Sequence, residues 1–347
     1  MRHIKRRITM LALLGVAIWS CNRDPRAELI PLTPSSMPFE GATHQKTWMA
    51  VPGNKDTNKE LQENLILIAS TIAQYEPVSI VVDHATHQTL LTLLGDLNAH
   101  HYPMEVLEAN ITSPSIRNEG PSFAYDANSS LVGIDFNHKN SVQKEEMPDA
   151  NLTQFIISKT SAKAVSSNLH IQATCIEVDG AGTAMMTESC IVNDDINPDW
   201  EKEEIETELK TLLGLQKIIW LKGTKKRTIA ARFVREGVVL THRNNDKTSD
   251  EYTLTRENIE NLQSQKDASG HMLKVIIIDA PKDSDKSYLG YYLCNNALIM
   301  QTFEEEEADY KAYKTLQNSF EERSIEQLSF GDIDKDIHAV TLQEPAL

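Results

Sequence analysis

Three cysteines in the body of the chain, Cys175, Cys190 and Cys294, are its best candidates for covalent chemistry. A thiol attacks only as the thiolate, and it needs a neighbouring base or cation to reach that state. Cys175 has no histidine partner at a recognisable spacing, and Cys294 sits in a hydrophobic strand pattern. Both therefore read as packed thiols rather than nucleophiles. A Cys175–Cys190 bridge could form in an exported protein, but buried free thiols are the preferred reading. No C-x-x-C pair supports a zinc cluster, and His100-His101 reads as a solvated helix end rather than a metal pair, so no metal site is expected. Gly-x-Gly-x-x-Gly and P-loop patterns are absent, which leaves nucleotide cofactors without support.

The elements that must position these residues alternate between short apolar runs and helical patterns. Glu60 to Tyr75 carries Leu61, Leu65, Ile68 and Ile72 at helical spacing. Helices are also expected over His87–His100, Glu201–Leu213, Asn258–Gln265 and Glu305–Phe320. Gly214 would cap the second of these, and the acidic run Glu304–Glu307 would start the last. Strands are expected at Val78–Val82, Phe155–Ile157, Ile176–Val178, Lys217–Leu221, Val238–Thr241 and Val275–Ile278. The class is α/β, and periodicity alone does not separate a doubly wound sheet from a circle of small repeats.

Composition bounds the partners. The chain has 347 residues, 40% hydrophobic and 24% charged, which is a globular balance. A formal net charge of −16 argues against nucleic acid as a partner. Residues 1–21 read as a lipoprotein signal peptide. Arg2, Lys5, Arg6 and Arg7 precede an apolar stretch from Met10 to Trp19, and Ser20-Cys21 follows. Cys21 would be acylated, making the membrane a partner through a lipid anchor and placing the protein in a bacterial envelope. Residues 22–36, with Pro25, Pro31 and Pro34, read as a tether, and residues 37–347 as a single domain.

A series of motifs spans that domain. Met37-Pro38-Phe39-Glu40 is followed by Thr47-Trp48-Met49-Ala50-Val51-Pro52, then Arg117-Asn118-Glu119-Gly120-Pro121. Val178-Asp179-Gly180-Ala181-Gly182-Thr183 and Thr187-Glu188-Ser189-Cys190 come next. Ala231-Arg232-Phe233-Val234 and the tail Ile337-His338-Ala339-Val340-Thr341-Leu342-Gln343-Glu344-Pro345 complete the order. Together they resemble the agmatine deiminase and bacterial peptidylarginine deiminase family. That resemblance implies the pentein fold, a five-bladed pseudosymmetric α/β propeller with its active site in a central channel.

The same resemblance implies where chemistry should sit. The family's tail reads I-H-C-I-T-Q-Q-x-P with Cys as nucleophile, and Ala339 stands at that Cys. The Asp of R-D-x-G-P falls on Asn118, and the E-G-G block falls on Gln172-Ala173-Thr174. Counting back from Ala231 places Lys226 at the catalytic His and Thr228 at a second Asp, in a shortened loop. Deimination needs a thiolate, carboxylates that grip the planar guanidinium, and a His that moves protons. All three are missing at these positions. A guanidinium meeting Lys226 at 4 Å would be repelled by about 4 kcal/mol at an effective dielectric of about 20. Gly41 and Val51 replace two tryptophans, which should open the pocket wall. Glu119 as a shifted carboxylate and Cys175 or Cys294 as a relocated nucleophile are the weaker readings, and His338 reads as structural. Lys225-Lys226-Arg227 is either a surface turn, slightly preferred, or a channel lining.

The expectation is a deiminase-family envelope lipoprotein without catalysis, acting in binding or scaffolding on a small-molecule or protein ligand. If its channel is open, it should prefer an anion to a guanidinium. The alternatives are an active hydrolase on agmatine or peptidyl-arginine, and an interaction module with a collapsed channel. No cofactor is implied.

Overall fold

In the computed structural model, residues 36–53, 59–96, 101–136, 151–223, 229–282, 286–330 and 336–347 are described. The signal peptide, most of the tether, Cys21, His100, Lys225, Lys226, Arg227 and Thr228 lie outside them.

The chain repeats one unit: an antiparallel strand pair, a helix, and a third strand parallel to the second. A parallel neighbour cannot be reached by a tight turn, so each repeat needs its helical crossover. The first repeat contains β1 (His44–Val51), α1 (Lys59–Ile72) and β2 (Val78–Val82). It is extended by α2 (His84–Asp96) and β3 (Met104–Glu108). A short helix, α3 (Ile116–Glu119), leads into β4 (Ser122–Tyr125), β5 (Leu131–Asp135), α4 (Leu152–Ser158) and β6 (Lys163–Ser166). The third repeat is β7 (Ile176–Val178), β8 (Thr183–Thr187), α5 (Lys202–Leu213) and β9 (Lys217–Leu221). The fourth is β10 (Ala231–Arg235), β11 (Val238–Arg243), α6 (Glu251–Ser264) and β12 (Lys274–Asp279). The fifth is β13 (Tyr292–Cys294), β14 (Ala297–Thr302), α7 (Glu306–Ser319) and β15 (Ser324–Ser329). The last strand, β16 (Thr341–Pro345), returns to pair antiparallel with β1 and supplies the partner that the first repeat lacks. The result is five sheets, the five-bladed pentein propeller that the motifs imply.

The apolar residues sort into five clusters, one at each junction between neighbouring blades. Trp48, Val81, Phe123 and Ile156 join the first blade to the second. Val132, Ile176, Met186 and Leu209 join the second to the third. Met185, Leu221, Phe233 and Val239 join the third to the fourth. Leu240, Tyr291, Leu298 and Leu316 join the fourth to the fifth. Leu65, Ile80, Tyr292 and Ile299 close the ring between the fifth and the first. Helix faces fit this plan. α1 buries Leu65, Ile68, Ala69 and Ile72 at the i, i+3, i+4, i+7 positions. α5 buries Ile205, Leu209, Leu212 and Leu213, and Gly214 ends it in a left-handed turn at φ 65°.

One strand expectation fails. Phe155-Ile156-Ile157 lies inside α4, which buries Leu152, Thr153, Ile156 and Ile157 as one helical face. An apolar triplet has no period of its own, and the helical face emerges only with Leu152 four residues before Ile156. α6 also begins seven residues earlier than the apolar pattern suggests, at Glu251.

The thiols need a second correction. Cys175 and Cys190 form a disulfide with a Cα–Cα distance of 6.4 Å, rather than two packed free thiols. The reason is register. Ile176 pairs with Met186 across β7–β8, so the turns before β7 and after β8 meet at one end of the hairpin. Cys294 is free and buried.

Candidate functional site

The blades converge on charge rather than on an apolar core. Arg232 on β10 lies at the centre, 1% exposed. Its Nε is 2.6 Å from Glu177 Oε1, and its Nη2 pairs with Glu40 Oε2. Its Nη1 donates to the carbonyls of Leu289 and Tyr291 at 2.9 and 3.0 Å. The guanidinium also sits 4.4 Å from the centre of the Tyr291 ring. Arg117 on α3 joins from the other side, with Nη2 at 3.2 Å from Glu40 Oε1 and Nε donating to the His338 carbonyl at 2.6 Å. The His338 ring points inward, with Nε2 at 3.2 Å from Glu40 and 3.4 Å from Glu177. Two carboxylates thus face two guanidiniums and an imidazole in a dry interior.

Such burial would push a lone carboxyl upward. At Glu40 the charges of Arg232, Arg117 and His338 outweigh burial and hold the carboxyl well below the usual range. Burial opposes the Arg232 charge, yet Glu177 and Glu40 raise its pKa further. Glu40, Glu177 and His338 bring their ligand atoms within 4.8 Å of one another, a spacing a metal ion could use. The two arginines already neutralise both carboxylates, so a cation would enter against two positive charges and has little to gain.

The positions singled out by the motifs lie beside this cluster. The Arg117 N–H donates to the Ala339 carbonyl at 3.2 Å, placing α3 against the tail. The next residue, Asn118, reaches across to the 172–174 segment. Its Oδ1 accepts from both the Thr174 N–H and the Thr174 hydroxyl, each at 3.1 Å. Gln172 opens the same turn, its carbonyl accepting the Cys175 N–H at 2.9 Å. Asn118, the Gln172 turn and Ala339 are therefore brought together. The Asn118 amide oxygen is thus engaged by the protein itself. Glu119 ends α3, and its carbonyl accepts the Thr153 hydroxyl at 2.9 Å.

A cavity of about 10 Å³ is lined by Thr174, Cys175, Glu177, Met185, Ile229 and Ala230 among others. That is about the room of a single water, so the expected anion preference has no volume to act in at this cavity. The expected opening of the wall is also not found. At Gly41 an added Cβ would meet the Phe39 ring at 2.5 Å and the Arg323 guanidinium at 3.1 Å, so these two groups fill the space beside it. Val51 is fully buried in the junction between the fifth and first blades.

The remaining thiols do not supply a nucleophile. Cys175 is committed to the disulfide. Burial, reinforced by the charge of Glu76, pushes the Cys294 thiol well above its ordinary pKa. His101 is exposed and packs edge-on against Tyr102 at 5.0 Å.

The model of the Porphyromonas-type peptidyl-arginine deiminases matches residues 36–345. The chain belongs to that family. A Streptomyces avermitilis protein provisionally named an agmatine deiminase is 29% identical over 342 residues, covering 89% of this chain and 96% of that protein. The agmatine deiminase of Medicago truncatula is 26% identical over 372 residues, covering 90% of this chain and 96% of the relative. The solved agmatine deiminase of Enterococcus faecalis superposes with a TM-score of 0.79 at 23% identity, covering 90% of this chain and 96% of that one. That likeness fixes the shared propeller.

The family motifs had already contained the central cluster without revealing it. Glu40, Arg117, Arg232 and His338 each lie within a motif, yet only the fold shows that they meet. Glu177 stands outside the motifs, within the Ile176–Val178 strand pattern. The available signal was its charge in an otherwise apolar Ile-Glu-Val run.

Proposed function

We propose that this chain is a deiminase-family protein that has lost deiminase chemistry and serves in binding or scaffolding at the bacterial envelope, tethered through Cys21. The fate of the four cysteines carries the reading. Cys21 is assigned to the anchor, Cys175 and Cys190 are paired, and Cys294 is buried and protonated. The tail position that needs sulfur carries the methyl of Ala339. Asn118 and Gln172 add the loss of the charges that would grip a guanidinium.

Among the described residues, the buried ion cluster around Arg232 favours the outer surface over a ligand in the old channel. Arg232 is among the largest fully buried side chains, and its guanidinium is held by Glu40 and Glu177. The disulfide supports an oxidising compartment, in line with export.

The rival is an active hydrolase on agmatine or peptidyl-arginine, the substrates in the names of its relatives and family. Purified mature protein should release neither carbamoylputrescine from agmatine nor citrulline from an arginyl peptide above a blank. Release of either product, abolished by Cys175→Ala or Cys294→Ala, would overturn the proposal.

A further inference from the structure

A second and larger cavity, about 380 Å³, opens on the rim between the first and second blades, in the size range of small-molecule sites. Its walls come from the ends of β1 and β16 on one side, and from the edge of β5 and the turn after α4 on the other. Leu131 and Pro345 give it apolar surface, while Thr160 and Ser161 offer hydroxyls.

Its charges are arranged unusually. Glu344 lines the cavity and is only 6% exposed. One carboxylate oxygen accepts the Trp48 Nε1–H at 2.8 Å, and among the described residues no cation lies within ion-pair distance. Burial accordingly pushes this carboxyl up, partly offset by Trp48 and by Lys46. Lys46, opposite Glu344 in the β1–β16 register, also lines the cavity, and its ammonium is paired with Glu105 at 2.8 Å. Lys159 also lines the cavity. It lies over the Phe155 ring at 5.4 Å and has no carboxylate partner among the described residues. Glu344 and Lys159 thus line the cavity with no ion pair of their own among the described residues, beside an apolar wall and the Lys46 ammonium that Glu105 holds. The cost of a buried charge without an ion pair falls on Glu344, and a ligand ammonium would recover it, while the exposed Lys159 ammonium lines the same cavity.

We propose that this cavity binds a small zwitterion of the amino-acid type, its ammonium paired with Glu344, its carboxylate with Lys159, and its apolar part against Leu131 and Pro345. The site is separate from the central cluster, so its failure would leave the loss of turnover untouched.

Calorimetric titration of the full mature protein tests it, with L-leucine as the probe. N-acetyl-L-leucine lacks the ammonium, and L-leucinamide lacks the carboxylate. L-leucine should bind, and each derivative should bind at least about tenfold more weakly, the order expected for one lost charged pair. Glu344→Gln and Lys159→Ala should each weaken L-leucine about tenfold, with thermal unfolding unchanged, because Gln keeps an acceptor for Trp48 and Lys159 is exposed. No heat with L-leucine, either derivative binding as tightly as L-leucine, or unchanged binding in both variants would overturn the assignment.

Discussion

Putting the sulfur back at position 339 tests how much else is missing. Ala339→Cys would restore a thiol beside Asn118 and the Gln172 turn, yet neither side chain offers charge to a guanidinium. Charge-assisted hydrogen bonds contribute about 1.5–3 kcal/mol each, so two lost partners cost roughly 10²- to 10⁴-fold in substrate binding. Ala339→Cys alone should therefore show no carbamoylputrescine release. Measurable turnover would mean that Asn118 and Gln172 do not stand where the carboxylates belong. Glu40 makes a separate prediction. Its carboxyl is held well below the ordinary value of about 4.3, so the stability it contributes is present above that value and lost as pH falls through the folded one. Glu40→Gln leaves Arg232 and Arg117 short of charge and should destabilise the protein by about 3–5 kcal/mol at neutral pH. Urea unfolding across acid pH should show the gap between wild type and variant narrowing as Glu40 protonates. A gap independent of pH would remove the ionic explanation. Ala339, Asn118 and Gln172 were legible from the motifs because each stands at one position of a fixed pattern. The Arg232 cluster was not, since it joins residues separated by up to 298 positions, as between Glu40 and His338.

Among the elements, the β7–β8 hairpin has a consequence that its sequence left open. The disulfide closes a separation of 15 residues, for which chain entropy gives about 3 kcal/mol of stabilisation. Cys175→Ser should lower stability by roughly that amount under oxidising conditions and should match wild type measured in reductant. A titration of free thiols in denaturant should find Cys175 and Cys190 blocked until reductant is added, whereas two titratable thiols there would contradict the bridge. Helices with a wide apolar stripe, such as α1 and α5, were readable because burial imposes the 3.6-residue period over three turns. α4 was misread because seven residues barely complete two turns, and its apolar triplet fits a strand equally well. The hairpin register that joins Cys175 to Cys190 lies beyond any local pattern, since it depends on which strands pair.

At the scale of the whole molecule, the five apolar clusters between blades make the ring depend on closure. β16 completes the first sheet from the far end of the chain, and the His44 N–H and carbonyl bond the Asn295 side chain of the fifth blade. The propeller was legible from its motifs in order, while its repeat was not, because blade sequences share strand and helix order rather than residues. The proposed attachment to a membrane is through Cys21, outside the described residues. No helix among the described residues is long and apolar enough to cross a bilayer. A net charge of −16 opposes adhesion to anionic lipid, whose surface attracts basic segments. The proposed acyl anchor would hold the protein to the membrane through high salt, and stable anchoring takes more than one chain or signal. In fractionated cells the wild-type protein should stay with membranes after a high-salt wash and move to the detergent phase of a phase separation. Cys21→Ala should shift it to the soluble or unprocessed pool without altering the folded domain. Release of the wild type by salt, or membrane retention of a processed Cys21→Ala protein, would refute the tether.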